Sequence, residues 1–241
     1  MALPSNTTPI YTVTLPSTKE QVRFRPFLVK DQKNLLIAQQ SDNQQVMADT
    51  LKQVISSCLV DSNLDVGSLA TFDMEYLFLQ IRGKSVGEQV PLILKCDEDH
   101  GEDNKKAQIK YQVNIDDINV EFSEDHIDKF DLFNDVGVKM RYPSFEVLDK
   151  FNSPQSNDAE VMFNIVGSCI EYVYDSNEIY YTKDQTQQEI TQFLENLTTD
   201  QFGKIQKFFD TMPKMVHNIE YDCPVCSKHH TVKLEGLQSF F

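Results

Sequence analysis

The sequence predicts an α+β fold, built from clustered antiparallel hairpins and amphipathic helices. Three observations carry that expectation. Strand-like runs with a period of two come in clusters rather than alternating singly with helices, which favours α+β over a doubly wound sheet. Other windows place apolar residues at helical spacing. The composition, 40% hydrophobic with 16 Phe, 9 Tyr and only 8 Gly, supplies a core and excludes global disorder.

The elements follow in order along the chain. Residues 8–29 alternate through Ile10, Thr12, Val13 and Leu15, then Val22, Phe24, Phe27 and Val29, with Pro16-Ser17-Thr18 as the turn. This reads as a hairpin, its second strand held to an edge or an end by Pro26. Asp31 opens a helical region. Val46/Met47, Thr50/Leu51, Val54/Ile55 and Cys58/Leu59 recur at helical spacing, and Ser41 with Gln44 predicts a capping box. The polar run Asp61–Ser68 breaks the helix. Met74, Leu77, Phe78 and Ile81 predict another, ending near Gly83 or Gly87.

Residues 90–96 and 109–115 read as the two strands of a second hairpin around the acidic tip Asp97–Lys106. Strand-like runs follow at Asn119–Phe122, Ile127–Leu132 and Val136–Tyr142. Helices return after Pro143. One face carries Val161, Ile165, Cys169 and Val173; a second carries Ile190, Phe193, Leu194 and Leu197. A third carries Phe202, Ile205, Phe208, Phe209 and Met212 and stops at Pro213. The last two helices are expected to form an antiparallel pair on the core, with the Thr198-Thr199-Asp200 turn capping the second. Asn152-Ser153-Pro154-Gln155-Ser156 reads as a linker. It divides the chain into residues 1–151, an N-terminal α+β region, and 152–241, a helical region closed by a Cys-bearing, zinc-ribbon-like hairpin. The two are also compatible with one integrated domain. A helix leads into a hairpin twice, at 72–82 into 90–115 and at 200–212 into 217–235, which suggests a weak internal repeat.

Charge limits the partners. The net charge is −15, from 37 acidic and 22 basic residues. Such a surface repels a phosphate backbone, and no Lys/Arg cluster offsets it, so nucleic acid is not an expected partner. The acidity suits a basic protein segment, or simply keeps the surface solvated. No run approaches the roughly 18 apolar residues of a membrane span. The opening MALPSNTTPIYTVTLPS lacks the basic and apolar regions of a secretory signal. Five Cys without regular spacing fit a reducing compartment.

No P-loop, G-x-G-x-x-G, G-x-S-x-G or H-E-x-x-H occurs, and no residue is assigned a catalytic role. Asp97-Glu98-Asp99-His100-Gly101 fails as a calcium loop: its Gly comes one position early, and Gln108 stands where a bidentate Glu is required. Cys58 and Cys169 lie on apolar helix faces and are expected to be core. His126 and His217 fall in strand-like or boundary segments and are given no role.

The strong local signal is Cys223-Pro-Val-Cys226, at the tip of the last hairpin. Two thiolates spaced C-x-x-C on a tip face one point, as a tetrahedral zinc site requires. Two more ligands are needed. His229 or His230 could come from the same tip. His217 is too far down the strand, since six strand residues span about 20 Å. The other hairpin offers Cys96 and His100. Cys96, His100, Cys223 and Cys226 would make a closed, two-knuckle structural zinc site. A reduced thiol pair without metal is the alternative. A redox pair is disfavoured, because thioredoxin-type C-x-x-C opens a helix.

Several stretches together resemble one family. They are LPSTKEQVRFRPFLVKDQKNLL, VMADTLKQVISSCL, LATFDMEYLFLQIRGKSVGE and CPVCSKHHTVKLEGLQSFF. Their succession over residues 15–241 resembles the baseplate hub subunits of T-even-type contractile-tailed bacteriophages. Family members often carry C-x-x-C after the DMEYLFLQIRGKSVGE segment; here the place reads Cys96-Asp-Glu-Asp-His100, keeping the first Cys and lacking the second.

The resemblance implies a non-enzymatic protein of the tail hub or of hub assembly. Its partners would be other hub proteins or the tape-measure protein. It would occupy the host cytoplasm during assembly, and the virion tail if it is a permanent subunit. The alternatives are a transient assembly chaperone for the tape-measure protein and, from another class, a small zinc-dependent enzyme. The closed ligand count and the missing base motif disfavour the enzyme.

Overall fold

The computed structural model describes residues 7–41, 43–60, 64–151 and 158–240. The architecture is α+β, with helices and small antiparallel sheets. Strands β1 (Tyr11–Thr14) and β2 (Gln21–Phe24) form the first hairpin, with Val13 opposite Val22. Helices α1 (Val29–Gln40) and α2 (Gln44–Cys58) follow. The cap of α2 is not Ser41. The Ser41 hydroxyl donates back to the Ala38 carbonyl at 2.6 Å, closing α1. Asn43, in extended backbone, accepts from the N–H groups of Gln45 and Val46. Asn is as strong an N-cap as Ser, and only Asn43 has the non-helical backbone a cap requires.

Helix α3 (Thr71–Val86) buries Phe72, Met74, Leu77, Phe78 and Ile81. It ends before Gly87, whose φ of +113° lies where only glycine is comfortable. Strands β3 (Gln89–Lys95) and β4 (Gln108–Asn114) make the second hairpin, with Leu92 opposite Tyr111. Next come β5 (Asn119–Glu121), β6 (Lys129–Phe133), β7 (Val136–Met140), α4 (Phe145–Phe151) and α5 (Asp158–Cys169). The linker expected at Asn152–Ser156 lies outside the described residues.

The helical face drawn through Val173 stops short. Helix α5 ends at Cys169 and the chain passes directly into β8 (Ile170–Tyr174). The β-branched and aromatic run Ile170, Tyr172, Val173, Tyr174 favours a strand, and β7 is there to pair with it. Strand β9 (Ile179–Tyr181) pairs with β8 after an Asp175 turn, in which one carboxylate oxygen accepts from the N–H groups of Asn177 and Glu178. The chain closes with α6 (Gln187–Glu195), α7 (Thr199–Thr211), β10 (Lys214–Asp222) and β11 (His229–Glu235). Thr186 and Thr198 cap α6 and α7 in capping boxes with Glu189 and Gln201.

The chain forms two compact units. The first is drawn from Met1–Leu64, Phe72–Glu121 and Lys214–Phe241, the second from Asp65–Thr71 and Phe122–Pro213. The first holds the hairpins β1-β2 and β3-β4 and the sheet β11-β10-β5. Phe24, Leu15, Ile55, Leu77, Ile81, Ile115, Met215 and Ile219 are buried in it. So is Asp31, whose carboxylate accepts from the Leu28 N–H (2.8 Å), Arg25 (2.9 Å) and Ser57 (3.1 Å). Burial alone would raise its pKa, but the Leu28 N–H and the Arg25 guanidinium outweigh that and hold the carboxyl below its ordinary value.

The second unit contains the sheet β6-β7-β8-β9. Leu132, Val138, Met140, Val166, Cys169, Ile170, Leu194, Ile205 and Phe208 form its core. Helix α6 packs chiefly on α5 and α7 on β6, rather than chiefly on each other as the expected pair would. Both bury their apolar faces in the same core. Cys58 and Cys169 are buried, as their helix faces imply, and burial pushes their thiols up to about 11 and about 12.

Candidate metal centre

Two hairpin tips of the first unit meet. In β10–β11 the tip Cys223-Pro-Val-Cys226-Ser-Lys closes with the Ser227 N–H donating to the Cys223 carbonyl and the Cys223 N–H to the Lys228 carbonyl, both at 2.9 Å. Ser227 takes φ +58° to complete the turn. This places the Val225 N–H 3.4 Å from the Cys223 sulfur. The β3–β4 tip repeats that feature: the Glu98 N–H lies 3.5 Å from the Cys96 sulfur. In both tips an amide two residues on points at the first sulfur, a placement that stabilises a thiolate.

The acidic loop between β3 and β4 orients His100. Asp99 Oδ1 accepts from the Gly101 N–H and from the Asn104 amide, each at 2.9 Å, and Asn104 Oδ1 accepts from the His100 N–H at 2.8 Å. The Asp99 carboxylate is therefore engaged in building its own loop.

Cross-tip contacts hold the hairpins together. The Tyr221 hydroxyl donates to the Lys95 carbonyl at 2.6 Å. Lys228 pairs with Asp97 at 3.1 Å and Glu98 at 2.7 Å. These ion pairs are exposed and screened by solvent, so they align the tips more than they bind them.

The result is that Cys96, His100, Cys223 and Cys226 converge, their ligand atoms all within 4.8 Å of one another. The sulfurs of Cys96 and Cys226 are 3.9 Å apart, and Cys223 Sγ lies 3.6 Å from His100 Nε2. Cys223 is buried and Cys226 exposed. Burial opposes ionisation of Cys223, but the N–H groups of Cys226 and Val225 and the neighbouring thiols outweigh it and bring the thiol down to about 6. Cys96 is pushed up to about 11, by burial first and by Cys223 and Cys226 beside it.

Of the remaining histidines among the described residues, His230 alone touches the cluster. Successive side chains on β11 point to opposite faces, so the adjacent His229 and His230 part company. His229 contacts Asp222 at 2.9 Å. His230 stacks on Tyr221, with ring centroids 5.0 Å apart, and sets Nε2 3.2 Å from the Cys96 sulfur. It groups with Cys96 and Asp97. His217 sits opposite Leu234, down the strand from the tip. In the second unit, His126 contacts Thr211 at 3.0 Å and stacks on Tyr142.

The family model described as T4 bacteriophage base plate protein matches residues 8–241. The chain belongs to that family. No curated protein and no solved structure matches it significantly. Membership makes this a structural baseplate protein of the phage tail, in contact with other baseplate proteins. No helix among its described residues is long and apolar enough to cross a membrane.

The four converging residues of this baseplate protein are one of the completions that sequence spacing offered; His230, offered as an alternative ligand, instead meets Cys96 across the tips. The Tyr221 hydroxyl and Lys228 were not foreseen, and only Lys228 left a legible trace, as a cation at one tip facing the Asp97-Glu98 run at the other.

Proposed function

We propose that this chain is a baseplate hub subunit that acts by protein–protein contact and catalyses no reaction. The observation that carries the reading is the family match over residues 8–241, nearly the whole chain. Hub neighbours or the tape-measure protein are the proposed partners, met in the host cytoplasm and retained in the finished tail. The net charge of −15 favours partners that present a basic segment. The Cys/His cluster gives no support to catalysis: four protein ligands around one point leave no open position for substrate.

A salt series on the complex with a neighbouring hub protein tests the reading. Screening shortens the Debye length from about 10 Å at 0.1 M salt to about 3 Å at 1 M. Charge sets on-rate more than lasting affinity. A permanent subunit should therefore associate more slowly at high salt and remain bound. A complex that dissociates at the high-salt end contradicts permanence and favours a transient chaperone for the tape-measure protein.

A further inference from the structure

We propose that Cys96, His100, Cys223 and Cys226 bind one zinc ion that staples the β3–β4 and β10–β11 hairpins, and that His230 supports this centre by donating to the Cys96 sulfur without ligating the metal. The inference does not depend on the hub reading.

Geometry carries it. A tetrahedral zinc with bonds of about 2.3 Å to sulfur and about 2.0 Å to nitrogen has edges of roughly 3.8 Å between sulfurs and roughly 3.5 Å between sulfur and nitrogen. The observed separations are 3.9 Å for Cys96–Cys226 and 3.6 Å for Cys223–His100. These match two opposite edges of such a tetrahedron, formed by residues 130 and 123 positions apart in sequence, and the other separations are all within 4.8 Å. A disulfide would bring two sulfurs to about 2.05 Å. Three thiolates and one imidazole form a soft N/S set that selects zinc over magnesium or calcium.

Charge is also accommodated. Three thiolates and a neutral imidazole around Zn²⁺ leave one net negative charge. The Glu98 and Val225 N–H groups face the first sulfur of each knuckle. His230 Nε2, 3.2 Å from Cys96 Sγ, supplies a third donor in the tautomer that carries its proton on Nε2. Two histidines thus stand near the sulfurs. His100 places a ring nitrogen within 4.8 Å of all three sulfurs, so we take it as the ligand and His230, beside Cys96 and Asp97, as the supporting donor.

The full chain, purified under reducing conditions without chelators, should contain one zinc per chain by elemental analysis. Its cobalt(II)-substituted form should show the visible bands of a tetrahedral centre with thiolate ligands. His100→Ala should lose the metal, and His100→Cys should restore it, which separates ligation from misfolding. His230→Ala should keep one zinc per chain and the tetrahedral cobalt spectrum, with affinity reduced about 10–100-fold. Wild-type protein that binds no zinc after reconstitution overturns the proposal, as does a Cys96–Cys226 disulfide that persists under reduction. Zinc kept by His100→Ala but lost by His230→Ala overturns the ligand assignment.

Discussion

Truncating Phe208 to alanine should remove the centre of the second unit's aromatic packing. Phe208 is 2% exposed. Its ring lies 5.0 Å from His126, 5.8 Å from Tyr142 in a stacked arrangement, and 5.2 Å from Phe209 edge-on, centroid to centroid. A buried Phe removes at least about 150 Å² from water, which at about 25 cal/mol per Å² is roughly 4 kcal/mol. Alanine retains part of that area, but the cavity and the lost ring contacts add to the cost. Measured Phe→Ala changes of about 3–5 kcal/mol bracket the sum, and we expect about 4 kcal/mol. In urea, with an m-value near 3 kcal/mol/M, the midpoint should fall by somewhat more than about 1 M without a change in slope. Fluorescence and circular dichroism should report the same shift. An unchanged midpoint, combined with loss of binding to other baseplate proteins, would refute the core assignment and make this helix face a partner surface.

Two further perturbations test individual contacts. Gly137→Ala in β7 should destabilise the second unit by about 1–3 kcal/mol, because an added Cβ would lie 2.3 Å from the Tyr174 ring and 2.7 Å from the Phe130 carbonyl; an unchanged melting curve would contradict that close approach. Asp31→Asn should cost about 3 kcal/mol at neutral pH, the low end for breaking a buried pair, since Arg25 keeps partial exposure. It should also flatten the acid limb of the stability curve. Asp31 is held below its ordinary pKa, so its contribution is present above the unfolded value near 3.9 and is lost as pH falls through the folded one. Denaturation midpoints at a series of pH values check both effects, and an acid limb as steep as wild type would count against the ion pair.

Much of this fold is written in local pattern. The β1–β2 alternation, the periodicity of α2 and α3 and the acidic-tipped β3–β4 hairpin can each be read within a window of about 15 residues, where spacing alone decides which face is apolar. The departures arise where a distant partner decides. Ile170–Tyr174 continues a helical face in spacing, yet it becomes a strand because β7 offers a ladder to pair with. Ser41 and Asn43 both qualify as caps by residue type, and the backbone at the α1–α2 corner chooses between them. The Cys/His cluster was legible for a different reason. Thiols and imidazoles at the tips of two separate hairpins have few structural uses, so their spacing carried information across 130 positions. Spacing also offered His230, but only beside its own tip; that it meets Cys96 depends on which face of β11 turns toward the neighbouring hairpin.

The proposal that this chain is a lasting part of the baseplate is tested most directly by its abundance in purified, salt-washed virions. Quantitative mass spectrometry against known baseplate proteins should find it at a fixed ratio to them, in whole particles and in isolated baseplates alike. Its presence in infected cells and in tail-assembly intermediates, with none in finished virions, would contradict the account.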